Sequence, residues 1–84
     1  MKNIKMYTGP LCNFCDAAKR LFGSNNLKYQ EIDISSTAGL REEMIKKSNG
    51  RRTIPQIFFD EYHVGGYQEL RALEKENKLK DLLK

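Results

Sequence analysis

The stretch Ile4-Lys5-Met6-Tyr7-Thr8-Gly9-Pro10-Leu11-Cys12-Asn13-Phe14-Cys15-Asp16-Ala17-Ala18-Lys19-Arg20-Leu21-Phe22 changes its hydrophobic period once along its length. Ile4-Lys5-Met6-Tyr7 alternates as a short strand does, and Thr8-Gly9-Pro10 reads as the turn that ends it. From about Cys12 to Phe22 the period becomes helical: Phe14, Ala17, Ala18, Leu21 and Phe22 recur at spacings of three and four, one apolar stripe. Gly23-Ser24-Asn25-Asn26 stops that helix, with Gly23 suited to a left-handed cap.

The remaining chain extends this strand-to-helix unit. Leu27 to Ile34 reads as a second strand carrying Tyr29, Ile32 and Ile34. Ser35-Ser36-Thr37 offers N-caps for a helix to about Lys47, with Leu40, Met44 and Ile45 inward and Lys46-Lys47 at its negative end. Ile57-Phe58-Phe59 and Tyr62-His63-Val64 flank the turn Asp60-Glu61 as a hairpin, which Gly65-Gly66 breaks. A last helical region holds Leu70, Leu73, Leu79, Leu82 and Leu83. The order is β-α-β-α-β-β-α. An opening strand-helix-strand calls for a parallel pair joined by a right-handed crossover, and the hairpin adds antiparallel strands. The expected fold is α/β, a small four-stranded mixed sheet with helices on both faces, in one domain over residues 1–84.

Composition narrows the function. Fifteen Lys and Arg against eleven Asp and Glu give a formal charge of +4, with both signs interspersed. A nucleic-acid binder more often clusters its basic residues and interleaves exposed aromatics, so no nucleic-acid partner is expected. Hydrophobic residues make up 39% and the mean hydropathy is −0.67. No run approaches the ~18 to 20 apolar residues of a membrane span. The charged start lacks the ~7 to 15-residue apolar core of a secretory signal, so the expected address is cytoplasmic.

The chain has two cysteines, Cys12 and Cys15, and a bridge between them would close a tiny loop. In the chain-entropy model such a loop stabilises least, so the pair is badly placed as a staple. It sits instead where strand and turn give way to a helix, whose unpaired N–H groups and positive dipole end face the first sulfur. That position favours thiolate over thiol, and the thiolate is what attacks disulfides. Cys15 shares a stripe with Ala18 and Phe22, whereas Cys12 lies on the first turn within reach of solvent. Cys12 is therefore assigned as the nucleophile and Cys15 as the shielded resolving thiol. Asp16, one turn beyond Cys12, opposes the thiolate, and Lys19 can offset it. Three other readings of the pair are weaker. A zinc site needs about four ligands, and only His63 could join the cysteines as a soft one. A structural bridge meets the loop argument, and two buried thiols would not call for this placement. His63 lies on a predicted strand and is read as a surface or packing residue.

Taken together, the chain resembles a small bacterial dithiol glutaredoxin, of the thioredoxin superfamily, over essentially its whole length. The matching pieces are Met6-Tyr7-Thr8, Cys12-x-x-Cys15, Thr53-Ile54-Pro55-Gln56-Ile57-Phe58, His63-Val64-Gly65-Gly66 and Glu69-Leu70-x-Ala72-Leu73. The resemblance implies a thioredoxin-like fold and a glutathione-dependent thiol–disulfide oxidoreductase. It further implies a cis peptide at Ile54-Pro55 and glutathione contacts from Phe14, Arg52, Thr53, Ile54, Pro55, Gly66, Tyr67 and Gln68. Arg52 would meet the glycyl carboxylate, with Arg51 or Arg41 as second choices. The implied partners are glutathione, as reductant, and glutathionylated or disulfide-containing proteins, served by a monomer with no tightly bound cofactor and no membrane.

Five positions depart from the family pattern: Asn13-Phe14 for Pro-Tyr between the cysteines, Gly9 for a lysine, Gln68 for an acid, and Tyr67 for a small residue. The missing proline motivates a rival in which Cys12 ligates a [2Fe-2S] cluster shared with glutathione. Gly9 and Gln68 motivate another, a thioredoxin-like reductase served by a flavoprotein.

Overall fold

The computed structural model describes all 84 residues. Its elements are β1 (Ile4–Thr8), α1 (Asn13–Ser24), β2 (Gln30–Asp33), α2 (Leu40–Lys47), β3 (Gln56–Phe59), β4 (Tyr62–Gly65), α3 (Tyr67–Lys75) and α4 (Leu79–Leu83). The sheet order is β2-β1-β3-β4. β1 runs parallel to β2, with Tyr7 opposite Ile32, and antiparallel to β3, with Tyr7 opposite Gln56. β3 and β4 form the hairpin, with Phe58 opposite His63.

Alternation along the strands divides the core. Ile4 and Met6 of β1 and Ile57 and Phe59 of β3 face one layer, where they meet Ala18, Leu21 and Phe22 of α1, Leu70 of α3, and Leu79 and Leu83 of α4. Tyr7 and Phe58 point the other way and pack with Met44 of α2. Strand side chains alternate faces, so a β1–β3 pair buried on both sides serves both helical layers at once.

Four sequence expectations shift. Gly23 stays inside α1, and the left-handed residue is Asn26 (φ 56°). Leu27 N–H donates to Phe22 O at 2.9 Å and Asn26 N–H to Gly23 O at 3.1 Å, which satisfies the last carbonyls of the helix. The same arrangement ends α2 at Asn49 (φ 58°) and α3 at Asn77 (φ 57°), so asparagine takes this role at three helix ends. Asn77 also divides the last helical region into α3 and α4. The second strand is shorter than expected, four residues from Gln30.

α2 starts at Leu40, after Gly39 (φ 94°), and not at the serines. Asp33 competes for them: its carboxylate accepts from Ser35 N–H at 2.8 Å and Ser35 Oγ–H at 2.6 Å, and its carbonyl accepts from Ser36 Oγ–H at 2.7 Å. A short side chain that bonds its own neighbours holds a turn against helix formation.

One polar contact ties α2 to the sheet. The Tyr7 hydroxyl, in a fully buried residue, donates to Glu43 Oε2 at 2.6 Å. Burial, then the neighbouring Glu43 carboxylate, raise the Tyr7 pKa well above its usual value of 10.0. The folded state therefore holds this proton where the unfolded chain releases it. The contribution is fully present below about pH 10 and is lost as pH rises toward the folded-state value. Tyr7→Phe is accordingly expected to flatten the loss of stability above pH 10, read from urea midpoints at pH 8 and 10.5. An unchanged alkaline slope would show that the phenol does not carry it.

Candidate active site

Cys12 is the N-cap of α1, in extended conformation, and its Sγ accepts the Cys15 N–H at 3.0 Å. The two cysteines form a disulfide. Cys12 is half-buried, whereas Cys15 is 1% exposed and lies on the stripe with Ala18 and Phe22. Leu11, at φ 54° and fully exposed, swings the chain from the turn into the helix just before Cys12. A sulfur at this position meets the orphan N–H groups and the positive dipole end of α1.

Lys19 does not offset Asp16 through a direct contact. Its Nζ lies 2.9 Å from Glu31 Oε2 on β2, and that oxygen also accepts the Thr8 hydroxyl at 2.7 Å. Those two bonds hold the Glu31 carboxyl below its usual range. The trio joins α1 to β1 and β2 beside the cysteine turn.

The loop before β3 faces the sulfurs. Ile54 O lies 3.8 Å from Cys12 Sγ, and the Ile54-Pro55 peptide bond is cis, as the resemblance implies. Between this loop and α3 runs a cleft of about 260 Å³. It gathers seven of the eight expected ligand contacts: Phe14, Thr53, Ile54, Pro55, Gly66, Tyr67 and Gln68. Arg52 is exposed and outside the lining, and Arg41 Nη1 donates to its carbonyl at 3.4 Å. A wider depression of about 810 Å³ lies around Lys2, Lys5, Lys28 and Asp60 at the far end of β1, and it holds no cysteine.

The Phe14 ring, 55% exposed, stacks on Tyr67 with centroids 5.9 Å apart and planes 18° apart. The bulky residue after the glycine pair thus forms a continuous aromatic wall with the residue between the cysteines. Such offset pairs contribute about 0.5–1.5 kcal/mol beyond the area they bury.

Two further residues line the cleft: Arg51, a second choice for the glycyl carboxylate, and Glu69, to which the sequence assigns no ligand contact. Glu69 Oε1 accepts the Gly66 N–H at 2.6 Å and pairs with Arg51 Nη1 at 3.0 Å. The Gly66 N–H, then Arg51, hold the Glu69 carboxyl below its usual range. The signal was present as Gly66-x-x-Glu69, half of a capping box. Gly65 stands at φ 116°, where a β-carbon would run into the Glu69 carboxylate and come within 3.0 Å of Arg51 Nη1. The glycine therefore makes room for the protein's own ion pair. Tyr67 and Gln68 supply the first N–H groups of α3, which have no partner inside the helix.

Gly9 also has a steric role. A β-carbon there would sit 2.7 Å from Ile54 Cδ1, so the bare backbone admits the isoleucine side chain. Gly9→Ala is expected to push Ile54 aside and raise KM for a glutathione mixed disulfide several-fold, and adding Ile54→Val should restore it. Equal KM values for Gly9→Ala and wild type would show that the contact has no bearing on the cleft.

With this geometry in view, comparison with known proteins is direct. A family model described as Glutaredoxin matches residues 4–64. The chain is 46% identical to Glutaredoxin 3 of Escherichia coli K12 over 84 residues, the whole of both chains. The solution structure of a glutaredoxin from Brucella melitensis matches with a TM-score of 0.86 at 46% identity, covering all of this chain and 90% of that one. A crystal structure of a buckwheat glutaredoxin–glutathione complex shares the fold with a TM-score of 0.87 at 22% identity, covering 98% of this chain and 76% of that one.

Proposed function

The chain belongs to the glutaredoxin family of the thioredoxin superfamily, enzymes that catalyse glutathione-dependent thiol–disulfide exchange, and from that premise we propose how its own residues divide the work. The Cys12 thiolate attacks the glutathione sulfur of a mixed disulfide, forming a Cys12–glutathione disulfide and releasing the substrate as a thiolate. A second glutathione thiolate attacks that bond at the glutathione sulfur, giving glutathione disulfide and free Cys12. With a protein disulfide, Cys12 first joins one substrate sulfur. Cys15 then attacks Cys12 Sγ and releases the reduced protein. The Cys12–Cys15 bridge is the oxidised end of that cycle, and two glutathiones reduce it.

One observation carries this reading: the half-buried sulfur caps α1 and faces Ile54 of the cleft wall at 3.8 Å, with its partner sulfur sealed from solvent. In the proposed pose the cysteinyl backbone of glutathione pairs with Ile54, beside Thr53 and Pro55. The γ-glutamyl carboxylate takes the free N–H groups of Tyr67 and Gln68 next to Gly66, and Phe14 covers the sulfur side. Arg52 stands outside any ion pair and is the cation for the glycyl carboxylate, while Arg51 is committed to Glu69. Glu69 already takes the Gly66 N–H, so the γ-glutamyl carboxylate is left with the donors of Tyr67 and Gln68.

The reading takes residues 1–84 as one domain acting as a cytoplasmic monomer on glutathionylated and disulfide-bonded proteins, without nucleic-acid or membrane partners. Its dispersed charge supports this, and no helix is long and apolar enough to cross a membrane. A [2Fe-2S] cluster needs four sulfur donors. One chain presents a single reachable thiol, Cys12, so three donors would have to come from elsewhere, whereas disulfide exchange needs only the two cysteines on hand.

The test is turnover of a glutathionylated peptide by the wild-type chain, with glutathione and glutathione reductase in one arm and thioredoxin reductase in the other. Turnover in the first arm alone is expected. Turnover only in the second would replace the reading with a flavoprotein-served reductase.

A further inference from the structure

Gln56 begins β3 with no exposed surface, yet its amide is fully partnered. Its Nε2 donates to the Thr53 carbonyl at 3.0 Å and to Thr53 Oγ1 at 3.2 Å. Both amide hydrogens are thereby used, so Oε1 is the acceptor in the 2.7 Å contact with His63 Nε2. The imidazole is thus fixed as the Nε2–H donor, and it stacks on Phe58 with centroids 4.7 Å apart and planes 22° apart. Burial, then the nearby Arg51 charge, lower its pKa from 6.5, which keeps the ring neutral at pH 7.

These contacts join three positions across the sheet edge. His63 on β4 holds the Gln56 amide on β3, and that amide holds both the main-chain carbonyl and the hydroxyl of Thr53. Thr53 and Ile54 line the cleft, and Ile54 O is the backbone atom facing Cys12 Sγ at 3.8 Å. The β3–β4 ladder shifts register between Ile57 and Phe58, beside this network. Thr53 and Ile54 lie outside β3, so the sheet ladder does not fix them. The buried amide does, because leaving any of its atoms unpaired costs about 1–3 kcal/mol.

We propose that His63 and Gln56 act together as positioning residues, holding the Thr53–Ile54 backbone in the register at which the cysteinyl part of a glutathione mixed disulfide pairs beside Cys12. This rests on the glutathione-dependent reading above. Neither side chain touches the reacting sulfurs. Their effect is therefore on substrate placement, with the intrinsic reactivity of Cys12 left alone.

Steady-state kinetics on a glutathionylated peptide, with iodoacetamide alkylation of reduced Cys12 as a second readout, tests this. Gln56→Met and His63→Leu should each raise KM about tenfold, the effect of losing one buried hydrogen bond, with kcat and alkylation rate changed less than twofold. His63→Gln keeps a donor for Gln56 and should hold KM within twofold of wild type. Gln56→Met combined with His63→Leu should match the single variants and not multiply them. An unchanged KM in folded Gln56→Met overturns the proposal, and so does a His63→Gln variant as impaired as His63→Leu. Should Gln56→Met fail to fold, the two His63 variants decide alone. A wild-type chain inactive with glutathione would instead overturn the functional reading, which separates the two failures.

Discussion

Cys12→Ser is expected to lower glutathione-coupled reduction of a glutathionylated peptide by on the order of a thousandfold or more, because the one remaining thiol, Cys15, is sealed from solvent. Serine at the same N-cap still accepts the Cys15 N–H, so the fold stays intact, but its hydroxyl cannot supply a thiolate. Cys15→Ser separates the two branches of the chemistry. It should keep most turnover on the glutathionylated peptide, where a second glutathione regenerates Cys12. On a protein disulfide it should stall at a mixed disulfide visible by mass spectrometry, because the sulfur that resolves it is gone. The burial contrast between the two cysteines underlies this asymmetry: a sulfur 1% exposed cannot meet a substrate, yet it bonds directly to Cys12. Retained turnover in Cys12→Ser, or complete loss on both substrates in Cys15→Ser, would reverse the assignment.

The second large effect concerns the platform. Phe22 is fully buried on α1 and packs against Tyr29, with ring centroids 5.2 Å apart, within the larger core layer. Truncating a buried phenylalanine costs about 3–5 kcal/mol through lost transfer energy and the cavity left behind. A domain of 84 residues has a total stability of roughly 4–13 kcal/mol. Phe22→Ala is thus expected to remove roughly a quarter or more of the margin, and in the weakest case to unfold the chain at 25 °C. Equilibrium urea unfolding checks it, and a change under 1 kcal/mol would mean that the layer collapses around the gap. The consequence reaches the chemistry, because α1 carries both cysteines and its stripe is what fixes them against the sheet.

Much of this fold is legible in the sequence. The switch from alternation to a three-and-four spacing across residues 4–22 gives β1 and α1, since burying one face requires those periods. The same spacing places Cys15 inside and Cys12 at the helix mouth. The motifs around Thr53-Ile54-Pro55 and Gly65-Gly66 name the other walls of the cleft. Local competition hid other features. Asp33 captures the serines that read as caps of α2, Asn26 and not Gly23 takes the left-handed position after α1, and Asn77 splits the last helical region. Asparagine reaches the left-handed region at modest cost, but which candidate does so depends on where the last apolar residue anchors.

Periodicity and motif order, then, are enough for the order of strands and helices up to the last helical region and for the placement of one thiol at the helix mouth and one inside. Partner choice among polar side chains was left to the folded chain. Lys19 meets Glu31 and not Asp16, Arg51 meets Glu69, and Gln56 meets His63 and Thr53. Apolar burial is a property each residue carries along the chain, whereas a hydrogen bond or ion pair exists only once the sheet has brought two distant segments within about 3 Å.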